Sequence, residues 1–355
     1  MKKILVYSLN KENFINFVTY YNSSSYLKGK YILNSYIPNK NRFKDLFFKF
    51  KYLFYSRNDV VISDYPTKLL DSSKKFSIAM GHGTALKRFP ADFEIKNRKN
   101  FKLIATMKRC KFFIVTSERQ KNLELRAPSL DRISNNIYLS LGLPKNDNLF
   151  KDKDTKKNLF KEKKIILYVP TYRDYGIAQS DIFDKKFFEE LIKILKTNNS
   201  IFIYKFHPSG KIFDPNILTK EQKKYIIDGN TLDFSEDELL LYSDLLISDY
   251  SSLAIKYLIL DRPILYFWFD YDRFVEIRGM DYNLEADNEI PADISKNKVS
   301  FFLQIKNFFD GKYDNKEWKE IRKKCMNNYY EFQDEFSSRR IWNLIDEEIG
   351  DQDEN

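Results

Sequence analysis

Only two histidines occur in the chain, and each stands directly after an apolar run. His82 lies in Gly81-His82-Gly83-Thr84, behind KFSIAM; His207 lies in YKFHP, at the end of the run that begins at Ile201. An imidazole near its unperturbed pKa of about 6.5 can take or give a proton at neutral pH, which suits it to acid–base work. The glycines on either side of His82 let the backbone turn sharply and approach a ligand closely. A lone loop histidine is ordinarily structural, but two of two at strand ends point to catalysis. Groups suited to anions are placed in the same way. Thr171 and Arg173 follow the run KIILYV, and Asp249-Tyr250-Ser251-Ser252 follow DLLIS. Serine hydroxyls and unpartnered backbone N–H groups at a helix start make a phosphate site. The plainer reading is that Asp249, Ser251 and Ser252 only cap that helix. Arg278 with Gly279 is expected in a loop after the last strand, holding phosphate bidentately or making a surface ion pair. No His-x-x-x-His, cysteine pair or tight Asp-x-Asp stands out beyond acidic loops such as Asp270-Tyr271-Asp272 and Asp281, so no metal is expected.

These residues need strands to carry them. Residues 238–270 read as helix end, buried strand, tight turn, helix and second buried strand, with Pro263 stopping the helix. Short apolar runs of this kind are the pattern of parallel strands covered on both faces. Further strands are expected at 3–8, 31–34, 59–63, 75–80 and 111–117 in the first half, and at 164–169 and 201–206 in the second. Helices are expected at 11–21, 187–196 and 236–242, and from 301 mainly to the end. Residues 145–164 are polar and charge-rich and read as a linker. The fold class is therefore α/β, with two Rossmann-like domains, 1–150 and 160–355, facing a cleft. In such sheets ligands bind at the carboxyl ends of strands, where the candidate residues fall. Neither a dinucleotide fingerprint nor a P-loop occurs.

The chain has 355 residues, enough for two domains, and 43% hydrophobic with 16% aromatic residues argues for a folded protein. Sixty Lys and Arg against 50 Asp and Glu leave a net charge of +10, which implies an anionic partner. Nucleic acid has little support, since no binding motif for it occurs. Residues 41–57, NRFKDLFFKFKYLFYSR, form a basic aromatic amphipathic pattern that suits either an anionic membrane surface or a helix on the sheet. The charged stretch 89–108 reads as a lobe over an acceptor. No apolar stretch approaches roughly 18 residues, and the N-terminal apolar run is too short for a signal peptide. The two cysteines, Cys110 and Cys325, do not suggest a disulfide framework. The expectation is a cytoplasmic chain, peripheral to the inner face of the membrane.

GHGTALKR, ILYVPTYRD, YKFHP, the block SDLLISDYSSLAIKYLILDRPILYFWFDYDRF and RGMDYN occur in that order, followed by EFSSRRIW. Together they resemble the CDP-glycerol glycerophosphotransferase family, the teichoic-acid and capsule polymerases and primases. Departures are Ala85 where the family usually has Pro, Met280-Asp281-Tyr282 in place of Phe-Tyr, and Asp334-Glu335 in place of Asp-Gly. The resemblance implies a GT-B-like fold and transfer of glycerol phosphate, or a related polyol phosphate, from a CDP-linked donor. The acceptor would be a lipid-linked or polymeric hydroxyl, and no cofactor is implied. It implies acceptor binding in the first half, at Gly81, Gly83, Thr84 and Lys87, with His82 as general base. It implies donor binding in the second half, by His207, Thr171, Arg173, Asp249, Ser251, Ser252 and Arg278. Two other readings stay open: a GT-B glycosyltransferase using a nucleotide sugar, and a non-catalytic basic protein that binds lipid surfaces.

Overall fold

The computed structural model describes residues 1–8, 11–37, 58–64, 70, 73–80, 110–125, 137–152, 160, 162–173, 182–207, 210, 212–278 and 291–350. Gly81, His82, Gly83, Thr84, Lys87, the stretches 41–57 and 89–108, and Met280-Asp281-Tyr282 lie outside them. The chain divides into two compact units. Among the described residues no helix is long and apolar enough to cross a membrane.

The first unit holds a parallel sheet of β1 (Lys2–Tyr7), β2 (Tyr31–Tyr36), β3 (Val60–Ser63), β4 (Phe76–Met80), β5 (Phe112–Val115) and β6 (Ile137–Ser140). The strand order is β2-β1-β3-β4-β5-β6. Between strands run α1 (Ile15–Ser23), α2 (Ser25–Lys30) and α3 (Glu118–Leu125), and α4 (Asp147–Asp152) follows β6. The central strands β3, β4 and β5 are buried at every position because both faces are covered.

The second unit holds β7 (Lys164–Tyr168), α5 (Lys185–Thr197), β8 (Ser200–Tyr204), β9 (Ile226–Asp228), α6 (Glu236–Tyr242), β10 (Leu245–Ser248), α7 (Leu253–Tyr257), β11 (Ile264–Phe267), α8 (Tyr271–Arg278), β12 (Asp293–Ser295), α9 (Lys298–Phe309) and α10 (Lys316–Tyr329). Its parallel sheet runs β12-β11-β10-β7-β8-β9. Counted from β7 this is the doubly wound order, and it reverses between β7 and β10. α5 starts at Asp184, whose side chain accepts from Phe187 N at 2.8 Å, and buries Phe187, Phe188, Leu191 and Leu195 on the sheet. α6 opens with a capping box between Ser235 and Glu238. The helix after β10 is shorter than expected. α7 has five residues and passes into a single 3-10 turn. Asp261, in left-handed backbone at φ 47°, ends that turn before Pro263 is reached. Arg278, expected in a loop, is the last residue of α8.

The domain boundary needs one correction. The C-terminal helices were expected in the second domain, but Asn328–Asn355 belong to the first unit, while Asp152–Asn327 make up most of the second. α11 (Ser337–Gly350) buries Ile341, Trp342 and Ile345 in the first unit's core. The Trp342 ring stacks on Phe17 at 4.7 Å and on Tyr21 at 5.5 Å, and its indole N–H donates to Phe17 O at 3.3 Å. Asp147, at the start of α4, caps this helix by accepting from Ser337 N at 3.2 Å, Ser338 N at 3.0 Å and Ser338 Oγ at 2.6 Å. Gly142, at φ +78°, lets Ser337 approach its Cα more closely than any Cβ would allow.

Candidate functional site

The reversal between β7 and β10 brings most of the sequence-predicted residues of the second half to adjacent strand ends; Arg278, at the end of α8, is not among them. Thr171, Tyr172 and Arg173 leave β7, Asp249 to Ser252 leave β10, and His207 follows the adjacent β8. Backbone pairing continues past the strand ends: Val169 N donates to Ile247 O at 3.1 Å and Lys205 N to Tyr168 O at 2.9 Å. The three loops therefore start side by side at the carboxyl end of the sheet.

Asp249 is fully buried and is the hub. It accepts from Thr171 N at 2.9 Å and from Tyr250 N at 2.6 Å, and it pairs with Arg173 Nη1 at 2.8 Å. Arg173 also grips Asp270 with two bonds, Nε at 2.8 Å and Nη2 at 3.0 Å, and donates through Nη1 to Thr171 O at 2.6 Å. The guanidinium lies 4.9 Å from the Tyr250 ring and 5.3 Å from the Phe274 ring. Its side chain is only 2% exposed. Burial, then the charges of Asp270 and Asp249, push the Tyr250 phenol well above its ordinary pKa, so it remains a neutral donor to Asp270 at 3.1 Å. Trp268 closes the hub by donating its indole N–H to Asp249 O at 3.0 Å.

Two expectations change accordingly. Arg173 and Asp249 do not present themselves to a phosphate; they hold the loops after β7 and β10 together. Their spacing in sequence suits a ligand site equally well, and only burial distinguishes the two roles. One guanidinium between two carboxylates also leaves no surplus positive charge there, so a bound anion would need another cation. Four of the sequence-predicted groups remain at these strand ends. Ser251 is half-buried and its Oγ accepts from Leu253 N at 3.2 Å. Ser252, at the start of the five-residue α7, is exposed and makes no side-chain cap. Thr171 Oγ1 is buried and has no hydrogen-bond partner among the described residues. His207 is exposed, with its ring centroid 5.6 Å from that of Tyr172. Among the described residues no group of three His, Cys, Asp or Glu side chains is arranged to hold a metal ion.

A family model described as CDP-glycerol:poly(glycerophosphate) glycerophosphotransferase matches residues 4–347. The chain belongs to this family. Teichoic acid ribitol-phosphate polymerase TarL of Staphylococcus aureus is 29% identical over 211 residues, 56% of this chain and 35% of TarL. The teichoic acid glycerol-phosphate transferase of the same organism is 25% identical over 303 residues, 79% of this chain and 73% of that protein. The structure of the wall teichoic acid polymerase TagF superposes with a TM-score of 0.74 at 20% identity, over 99% of this chain and 90% of that chain. This likeness shows the fold, GT-B-like with two Rossmann-like domains. The chain spans 28% to 39% of the length of the ribitol-phosphate polymerases and glycerol-phosphate primases it matches.

Tyr172, Tyr250, Trp268 and Asp270 were not singled out from sequence. Asp270 stands after β11, which β10 separates from β7, so strand adjacency in sequence does not point to it.

Proposed function

We propose that this chain transfers glycerol phosphate, or a related polyol phosphate, from a CDP-linked donor to a hydroxyl of a lipid-linked or polymeric acceptor, releasing CMP. The observation that carries this reading is the meeting of Thr171, Ser251, Ser252 and His207 at the strand reversal of the second unit, in a member of this family. The acceptor hydroxyl attacks the donor's β-phosphorus, a new P–O bond forms, and the bond to CMP breaks. The hydroxyl proton passes to His82, the general base of the acceptor-side loop with Gly81, Gly83, Thr84 and Lys87. His207 and the hydroxyls of Thr171, Ser251 and Ser252 stabilise the migrating phosphoryl group and the departing CMP. Arg278 supplies positive charge that Arg173, held by two carboxylates, does not.

The test is a donor screen: CDP-glycerol, CDP-ribitol and UDP-sugars, each with a polyol-phosphate acceptor, scored by nucleotide release and product mass. Release of CMP from a CDP-polyol is expected; UDP release alone would establish the glycosyltransferase reading instead. His82→Ala and His207→Ala should each lower turnover ~100-fold or more if they act in proton transfer or charge stabilisation. The net charge of +10 and the basic aromatic stretch 41–57 support peripheral association with an anionic membrane at its cytoplasmic face. Co-sedimentation with phosphatidylglycerol vesicles but not phosphatidylcholine vesicles checks it.

A further inference from the structure

We propose that Tyr172 is the positioning residue for His207 and that Gly210 holds the Tyr172 ring in place. This rests on the reading of His207 given above. A side chain that acts on a reacting centre gains from being held in one rotamer. Tyr172 contributes to that hold. Its ring lies against the imidazole at 5.6 Å between centroids, with the planes 34° apart. A pair of this kind shifts rotamer populations by roughly two- to tenfold.

Tyr172 is itself fixed from three directions. On one side in sequence, Thr171 N donates to Asp249 at 2.9 Å; on the other, Arg173 is bound to Asp249 and Asp270. With both neighbours anchored inward, the side chain between them is directed across β7 towards the loop after β8. There Gly210 meets it. A Cβ built on Gly210 would fall 2.6 Å from Tyr172 Cε2 and 2.7 Å from Cδ2, too close for any side chain to coexist with the ring as placed. Gly210 N also donates to His207 O at 3.1 Å, so the residue that sets the ring's far boundary closes the turn that carries the histidine. The hub of buried charge thus reaches the exposed imidazole through one aromatic ring.

The chain has only two histidines, which makes the test direct. In full-length protein carrying 13C-labelled histidine, the two Cε1–H signals are assigned with His82→Gln. The His207 signal should show a nuclear Overhauser contact to the Tyr172 ring. Tyr172→Leu should move that signal and leave the His82 signal in place, whereas Tyr172→Phe should keep it near its original shift. Gly210→Ala, which changes no group touching substrate, should displace the ring and move the same signal. In the donor assay Tyr172→Leu and Gly210→Ala should lower kcat for CMP release ~10-fold or more, with KM for CDP-glycerol within about twofold. Tyr172→Phe should restore it. A His207 signal and a kcat both unmoved in Tyr172→Leu and in Gly210→Ala would overturn the proposal. So would a uniform change of both histidine signals with a loss of thermal stability, the mark of a purely structural role. A wild-type chain that releases no CMP would remove the transfer reading alone, and the spectra would still decide the positioning.

Discussion

The same three residues close a central strand in each unit: Ile62-Ser63-Asp64 at the end of β3 and Ile247-Ser248-Asp249 at the end of β10. Both strands border the point where their sheet's order reverses. Both aspartates are buried. Their surroundings differ. Asp64 accepts from Ser8 Oγ, at the end of β1, at 2.5 Å and from the side-chain amide of Asn13. Asp249 receives a guanidinium and two backbone N–H groups, and through Arg173 it is joined to a second carboxylate. A strand-end carboxylate is thus a reusable anchor for the loop across the reversal, and the partner decides what that anchor can do. The Arg173 hub ties down three loops at once and leaves Tyr172 and His207 at its rim.

The comparison breaks most sharply at Arg173. Arg173→Met takes the guanidinium from buried Asp249 and half-buried Asp270 and should destabilise the second unit by about 3–5 kcal/mol, read from denaturant midpoints. Arg173→Lys keeps the charge but loses the two-pronged grip on Asp270, and should fall between the wild type and Arg173→Met. A loss below about 1 kcal/mol in Arg173→Met would show that the hub is not what joins the loops.

The first unit has a further carboxylate that tests the other side of the comparison. The described partners of Asp147 are backbone N–H groups and a hydroxyl, and burial raises its pKa from 3.8 to about 6 against the lowering effect of the Ser338 and Ser337 hydrogen bonds. An acid whose folded pKa is raised favours folding while it is protonated. Its contribution is full below pH 4 and is lost as pH rises through about 6, a change of up to about 3 kcal/mol. Asp147→Asn should flatten this dependence between pH 4 and 6 in thermal melts. An unchanged slope would mean that the titration belongs to another group.

The smallest effect is expected where a neutral donor is removed. Ser8→Ala takes one hydrogen bond from buried Asp64 and should cost roughly 2 kcal/mol, less than the Arg173→Met loss in the other unit. Equal losses would erase the distinction between the two anchors.

Much of this was readable in advance. The strands at 60–63, 76–80, 164–168 and 245–248 declare themselves as short, mainly apolar runs, because a parallel strand is buried on both faces. Thr171, Ser251, Ser252 and His207 stand out in the sequence because they sit directly after such runs. Three features escaped. β9 and β12 have three residues each, too few to carry a period. The short α7 ends at a left-handed aspartate, a cap that sequence does not distinguish from helix interior. Arg173 reads as a phosphate ligand until its two carboxylates are in view.

What the amino-acid sequence determined by itself is local: where apolar runs end, where glycine, proline and serine make turns, and hence which residues stand at strand ends. What only the tertiary structure decided is which of those residues answer one another. Thr171 meets Asp249 across 78 positions of sequence, and Ser337 meets Asp147 across 190. Contacts over such separations leave no periodic trace in the chain, because they depend on strand order and on the sheet each helix finds to cover its apolar face.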